Sequence, residues 1–367
     1  MNTPPSPPGA ERESVRIGAL VPLTRPGWAG AGRHLLAGLE LAVREVNDTG
    51  GIAGRPLELV VRDTAADPRR AEAAVDELAR LGVAALAGEY HSVVARAAAT
   101  RADALGLPFL CSSAVLDALT EQPSDRVARL APAQSHGWRS YADFLLKAGH
   151  RRIAVAAEAS VYWASGARIL RDRLAPHGGA VVELDMRALT PEAVCDELAG
   201  DRASALLLLV GHPEPAVSIV RSVRRDPRLA GVMIGAPAGQ PEFAEWATSL
   251  GGDGAAIPFL RYLPEPLGPL GARVGTALRE RLAEPPSFVA FEGYDTVVVL
   301  AEVLRARGTD RARVAASWPE VAVAGTRGRI RFSRVPGIGV WQWAWAPVQV
   351  VDRDPAAPDR FRILHTG

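Results

Sequence analysis

Within its first ninety residues the chain alternates a strand pattern with a helix pattern twice. That order admits few folds other than a parallel sheet covered by helices. Val15–Val21 reads as a strand and runs into a glycine-rich loop with Gly27, Gly30 and Gly32. Leu35, Leu36, Leu39, Ala42, Val43 and Val46 then recur at helical spacing. The helix should end in Asn47-Asp48-Thr49-Gly50-Gly51, where glycines supply the positive φ that a helix C-terminus uses. Leu57–Arg62 gives a second strand, and Asp63-Thr64-Ala65-Ala66-Asp67-Pro68 opens the next helix with an Asp cap.

The ordered string GLELAVREVNDTGGIAGRPLELVVRDTAADP resembles the Leu/Ile/Val-binding family of type I periplasmic binding proteins. FEGYDTVVVLAEVL (Phe291–Leu304) is similar to that family's late core helix. The resemblance implies an α/β fold of two Rossmann-like lobes with parallel sheets, joined by a three-strand hinge. It places crossings near Pro132, near Pro258–Pro264 and near Phe332. Lobe 1 is then expected over 15–131 plus about 262–330, and lobe 2 over 132–261 plus about 331–367. A length of 367 residues suits two such lobes.

Later segments keep the same alternation. Strands are expected at Val83–Ala87, Pro108–Ser112, Arg126–Leu130, Ile153–Ala157, Ala180–Asp185, Ala203–Val210, Gly231–Gly235 and Ala255–Phe259. Helices are expected at Ser92–Leu105, Ala164–Leu174, Pro191–Leu198 and Glu214–Arg224, then near Leu270–Leu282 and Ser287–Arg307.

Charge and cysteine content exclude several classes of function. Forty-two basic residues face 41 acidic ones, so neither nucleic acid nor an anionic membrane is an expected partner. Lys147 is the one lysine, and the arginine excess reads as compositional bias. No lysine phosphate loop, HExxH or CxxC occurs, so no cofactor and no metal is expected. Cys111 and Cys195 fall in different lobes, which argues against a disulfide.

Met1–Ser14 is polar and proline-rich, without a basic or an apolar leader region, and reads as a disordered tail. No stretch reaches the roughly 18–20 apolar residues of a membrane span. The resulting expectation is a cytoplasmic protein, or a periplasmic or extracellular one if a leader was removed. Either a monomer or a homodimer fits.

Ligands of open α/β sheets sit beyond the carboxyl ends of the strands. That rule selects Thr24–Gly32, Gly88–Ser92, Ser112–Val115, Ala159–Ser165, Gly211–Glu214 and Gly235–Gly239. Ser92 should cap its helix, and by the family resemblance should also hold a ligand carboxylate. The resemblance likewise carries ligand contact to Trp28 and Tyr162, whose ordinary alternatives are a surface anchor and a buried structural ring. Trp163 stands where relatives have a small glycine.

Departures from the resemblance matter as much. A relative's threonine is Val115 here, beside Ser113. The second-lobe acid becomes Gly235-Ala236-Pro237-Ala238, and a tyrosine becomes Gly211 before His212. A zwitterionic branched-chain amino acid would lose partners, and an unpaired charge in a dry cleft costs several kcal/mol. GEYHS is similar to the cytoplasmic amide sensors, which would put Tyr90 and Ser92 on an amide oxygen and a regulatory partner protein outside. The transport relatives would instead partner an ABC permease.

Two functions stay open. One is non-catalytic binding of a small carboxylate, amide or aromatic amine. The other is a cytoplasmic enzyme of specialised metabolism that condenses or cyclises an aromatic amine, with Glu89 and His91 as acid and base and His136 nearby. The ordinary readings of Glu89 and His91 are a solvated carboxylate and a satisfied histidine.

Overall fold

A computed structural model describes residues 13–25, 27–186 and 189–367. The expected tail lies outside the described residues up to position 12. Its last two residues are held in place: Arg55 Nε donates to the Glu13 carbonyl oxygen at 2.6 Å, and Ser14 Oγ donates to Glu58 at 2.5 Å.

The first lobe is built from β1 (Val15–Val21), α1 (Ala29–Asp48), β2 (Leu57–Asp63), α2 (Pro68–Arg80), β3 (Ala85–Gly88), α3 (Ser92–Ala104), β4 (Phe109–Cys111) and β5 (Val127–Arg129). β1, β3, β4 and β5 are almost wholly buried, as strands covered on both faces should be. α2 starts as read: Asp67 accepts from the backbone N–H groups of Arg69 and Arg70, with Pro68 in the first turn. α1 starts earlier than expected. Gly30 and Gly32 lie in its first turn, and the loop closes at Trp28.

The second lobe holds α4 (Gln134–Lys147), β6 (Arg152–Ala157), α5 (Val161–Leu174), β7 (Ala180–Leu184), α6 (Pro191–Gly200), β8 (Ala205–Leu209), α7 (Glu214–Arg225), β9 (Met233–Gly235) and α8 (Ala244–Leu250). Its four strands run parallel in the order β7-β6-β8-β9. α4 was not expected, yet Trp138, Tyr141, Ala142 and Leu145 bury one face at helical spacing. Polar residues and Gly137 in its first turn hid that stripe.

The chain then passes through β10 (Phe259–Arg261), α9 (Pro269–Leu282), α10 (Phe288–Arg307), α11 (Arg311–Ala316), β11 (Val323–Gly325), β12 (Gly328–Ile330), β13 (Phe332–Ser333), β14 (Trp341–Trp343), β15 (Gln349–Asp354) and β16 (Ala357–Thr366). Ala255–Phe259, read as a strand, pairs as one only from Phe259. Residues 251–254 form a tight turn and Ala256 has φ 53°. β10 pairs antiparallel with β15, which pairs with β16, so these three strands form a separate sheet.

β13 and β14 join the first sheet, whose order is β13-β14-β5-β4-β3-β1-β2. The segment expected to cross near Phe332 therefore stays with the first sheet through Trp343. The chain passes from first-lobe to second-lobe elements after β5, and β10 precedes the helices that pack on the first lobe. No helix among the described residues is long and apolar enough to cross a membrane.

α10 returns the chain to the first lobe and packs directly on α1. A Cβ at Gly38 would collide with the Ala290 carbonyl, and one at Gly293 with the Leu35 carbonyl. These two glycines let the helix backbones touch. Gly293→Ala should therefore destabilise by about 1–3 kcal/mol, although alanine favours a helix by about 1 kcal/mol. Urea unfolding reads the sign, and a gain in stability would refute the contact.

Candidate functional site

A cavity of about 170 Å³ lies between the two parallel sheets, where their carboxyl ends face each other. From the first lobe, Trp28 precedes α1, Tyr90 and Ser92 follow β3, and Ser113 and Val115 follow β4. From the second lobe, Tyr162 and Trp163 open α5, and His212 follows β8. All eight residues named as ligand contacts from the sequence thus border one space. His91 borders it too.

The sequence reading missed Tyr262, Phe288 and Gln240, which complete the wall. Tyr262 lies on a crossing segment and Phe288 opens α10, so neither follows a strand of the two parallel sheets. Glu158, at the end of β6, was missed as well. It supplies a second-lobe acid that the 235–238 stretch lacks. No arginine or lysine is among the residues bordering the cavity.

Aromatic stacking closes the two lobes over this space. The Trp28 and His212 rings lie 4.2 Å apart at 11°, and Trp28 leans on His91 at 6.2 Å and on Tyr90 at 5.7 Å. Gly211 makes room, since a Cβ there would sit 2.6 Å from the Trp28 ring. Its backbone N–H donates to Glu158 Oε2 at 3.0 Å. Across the cavity, Gln134 Nε2 donates to the Tyr162 carbonyl at 2.8 Å, and Tyr162 stands edge-on to Trp163 at 4.6 Å.

Burial lowers His91 to about 4, with His212 adding to the effect, so its ring is neutral at pH 7. Burial also raises the hydroxyls of Tyr90, Tyr162 and Tyr262, which stay protonated.

Ser92 is the first helical residue of α3, and His91 occupies the cap position without a side-chain cap bond. The expected capping role of Ser92 is therefore corrected. Its Oγ accepts from the backbone N–H of Leu116 at 3.4 Å instead, which ties it to the loop after β4. That loop is anchored from behind by Arg129. The buried guanidinium donates to the carbonyls of Val115 (2.9 Å) and Leu116 and to Gln342 Oε1 (2.6 Å). Ser113 is buried beneath the cavity, and its Oγ has no settled hydrogen bond.

Glu89 does not face the cavity, contrary to the reading of it as an acid or base there. It is fully buried and turned toward β2. Oε2 accepts from Thr64 Oγ1 at 2.7 Å, and Oε1 accepts from the N–H groups of Tyr90 (2.8 Å) and His91 (2.9 Å). Its role is to fix the loop that presents Tyr90, His91 and Ser92. His136 is exposed on α4, away from the cavity. An acid–base pair of Glu89 and His91 is therefore not assembled at the site. Cys111 and Cys195 are both free and buried.

Comparison with known proteins agrees with this geometry. The family described as "Periplasmic binding protein" matches residues 14–351. Leu/Ile/Val-binding protein homolog 7 of Brucella melitensis is 32% identical over 144 residues, 38% of this chain and 34% of that protein. The match thus spans about a third of the curated relative's length. A leucine-binding protein from Thermotoga maritima superposes with a TM-score of 0.81 at 19% identity, over 95% of this chain and 97% of its own. An R. palustris solute-binding protein in complex with benzoate gives 0.78 at 18% identity, over 96% of each chain.

The Glu89 bonds make two variants informative. Burial pushes its carboxyl up to about 7, so the folded state holds the proton more tightly than the unfolded chain. The resulting stabilisation is complete below about 4.5 and is lost as pH rises through about 7. Glu89→Gln should keep the fold, because the amide can accept from the loop and donate to Thr64. It should also flatten the fall in stability over that range, by up to about 1.4 kcal/mol per pH unit. Glu89→Ala strands two N–H groups and a hydroxyl and should cost about 3 kcal/mol or more. Denaturant titrations at several pH values measure both.

Proposed function

The chain belongs to the periplasmic binding protein family, and from that premise we propose that it captures one small organic molecule in the interlobe cavity by closing around it. The observation that carries this reading is the Trp28–His212 stack, which joins the lobes across an aromatic-walled space. Binding energy spent on closing two lobes is the usual means by which a hinged protein senses or captures a ligand. The closed form is the state that an ABC permease or a regulatory partner reads.

Size and chemistry narrow the ligand. A space of about 170 Å³ is close to the roughly 150 Å³ cavity known to take up benzene. The ligand is therefore about one ring in size and carries a carboxylate or amide oxygen. Ser92 and the free N–H groups at the start of α3 supply donors to that oxygen. Tyr90, Tyr162, Trp163 and Phe288 supply flat apolar surface. The R. palustris neighbour of the same fold was solved in complex with benzoate, which supports a ligand of this kind. Binding without chemistry is favoured because Glu89, the acid that catalysis would need, is turned away from the cavity.

Mass spectrometry after incubation with benzoate, benzamide, benzylamine and leucine tests the reading. One compound should be retained near 1:1 and unchanged, and at 100 times its Kd should stabilise the protein by about 2.7 kcal/mol. Trp28→Ala should weaken it about tenfold, a loss of about 1.4 kcal/mol, and Gly211→Val should do the same by displacing the Trp28 ring. Turnover of a compound beyond the protein concentration would sink the binding role.

A further inference from the structure

Beneath the cavity floor lies a charged layer that ligand capture alone leaves unexplained. Glu292, on α10, is fully buried. Its Oε1 accepts from Arg327 Nη1 at 3.1 Å, while Oε2 has no partner of its own. The same guanidinium also serves Asp295, through Nε to Oδ2 at 3.2 Å. Asp295 is better satisfied, because the Thr326 N–H donates to its Oδ1 at 2.6 Å. One cation thus faces two carboxylates, and Glu292 holds the weaker share.

Beside the Glu292 carboxylate, and electrostatically coupled to it, is Ser113, which borders the cavity and whose buried Oγ likewise makes no hydrogen bond among the described residues.

We propose that Glu292 acts through Ser113 as a specificity-determining group of the cavity, taking up one proton when a ligand presents an oxygen acceptor to the floor. The inference rests on the binding role proposed above. The proton comes from solvent and adds to the Glu292 carboxylate. The neutral carboxyl then donates to Ser113 Oγ, which frees the serine O–H to donate to the ligand. With Glu292 ionised the pair reverses: Ser113 donates downward and turns its lone pairs to the cavity, which opposes an oxygen acceptor.

The surroundings favour the proton-bound state. Burial pushes Glu292 up to about 7, against the pull of Arg327 and Ser113. Asp295 on the same helix and Glu242 from the turn at 240–242 push the same way, although Arg261 faces Glu242. The neutral hydroxyls of Tyr90 and Tyr262 are also close enough to feel Glu292 and bring no positive charge.

The test uses benzoate and benzamide on the full chain between pH 6 and pH 8, where neither probe titrates. Wild-type affinity for the probe that binds should fall about tenfold from pH 6 to pH 8, as the protonated fraction falls. Glu292→Gln, a fixed neutral donor, should bind with a flat profile, and Ser113→Ala should lose the slope as well. A flat wild-type profile overturns the inference. So does a slope that Glu292→Gln leaves intact, because another group would then own it.

If neither probe binds at any pH, the binding role fails for these compounds and an infrared titration without ligand decides. A protonated-carboxyl band present at pH 6, fading by pH 8 and missing in Glu292→Gln, supports the proton site. Its absence at pH 6 overturns it.

Discussion

The backbone contact between α1 and α10 is what the rest of the molecule hangs on. Helices that meet through Gly38 and Gly293 bring the chain from α10 to β14 back onto the first lobe. That return forces further crossings between the two sheets. With the sheets linked by several strands and not by one tether, their carboxyl edges face each other across one gap. The cavity, its aromatic roof and the charged layer below it all follow from that placement, because α10 also carries Phe288, Glu292 and Asp295.

Much of this was legible in the sequence, because it is local. The alternation of period-2 and period-3.6 segments announced the lobes, and Asp67-Pro68 announced a helix start. The rule that ligands sit beyond strand ends led to residues from five separate loops that border one cavity. Tyr262 and Phe288 escaped because they enter from the crossing and from a helix that returns over a long sequence distance. Nothing adjacent to them in sequence marks the space they fill. Glu89 was misjudged for a related reason: a loop position says that a side chain is near the cleft, not which way it points. Thr64, which draws it inward, lies 25 residues away. The third crossing was misplaced because two short strands near the end pair with a sheet begun three hundred residues earlier.

Burial keeps several of the cavity's polar groups neutral: the tyrosines stay protonated and His91 unprotonated, and Glu158 is the one acidic side chain among the bordering residues. Such a surface discriminates by hydrogen-bond direction and ring shape more than by net charge. An uncompensated ion inside it would carry a desolvation cost that few contacts could offset.

Arg129 adds a different kind of influence. Its guanidinium is fully buried, bound to backbone carbonyls and a glutamine, and forms no ion pair among the described residues. A permanent positive charge in a medium of low polarisability projects its field well beyond its contacts. The loop it anchors borders the cavity, so the space feels a cation that no ligand can touch. Attraction reaches in from behind the wall, while the tyrosines and His91 that a ligand meets directly stay uncharged. Charge and shape are thereby tied together, because the residue that sets the field also holds the loop that forms part of the wall.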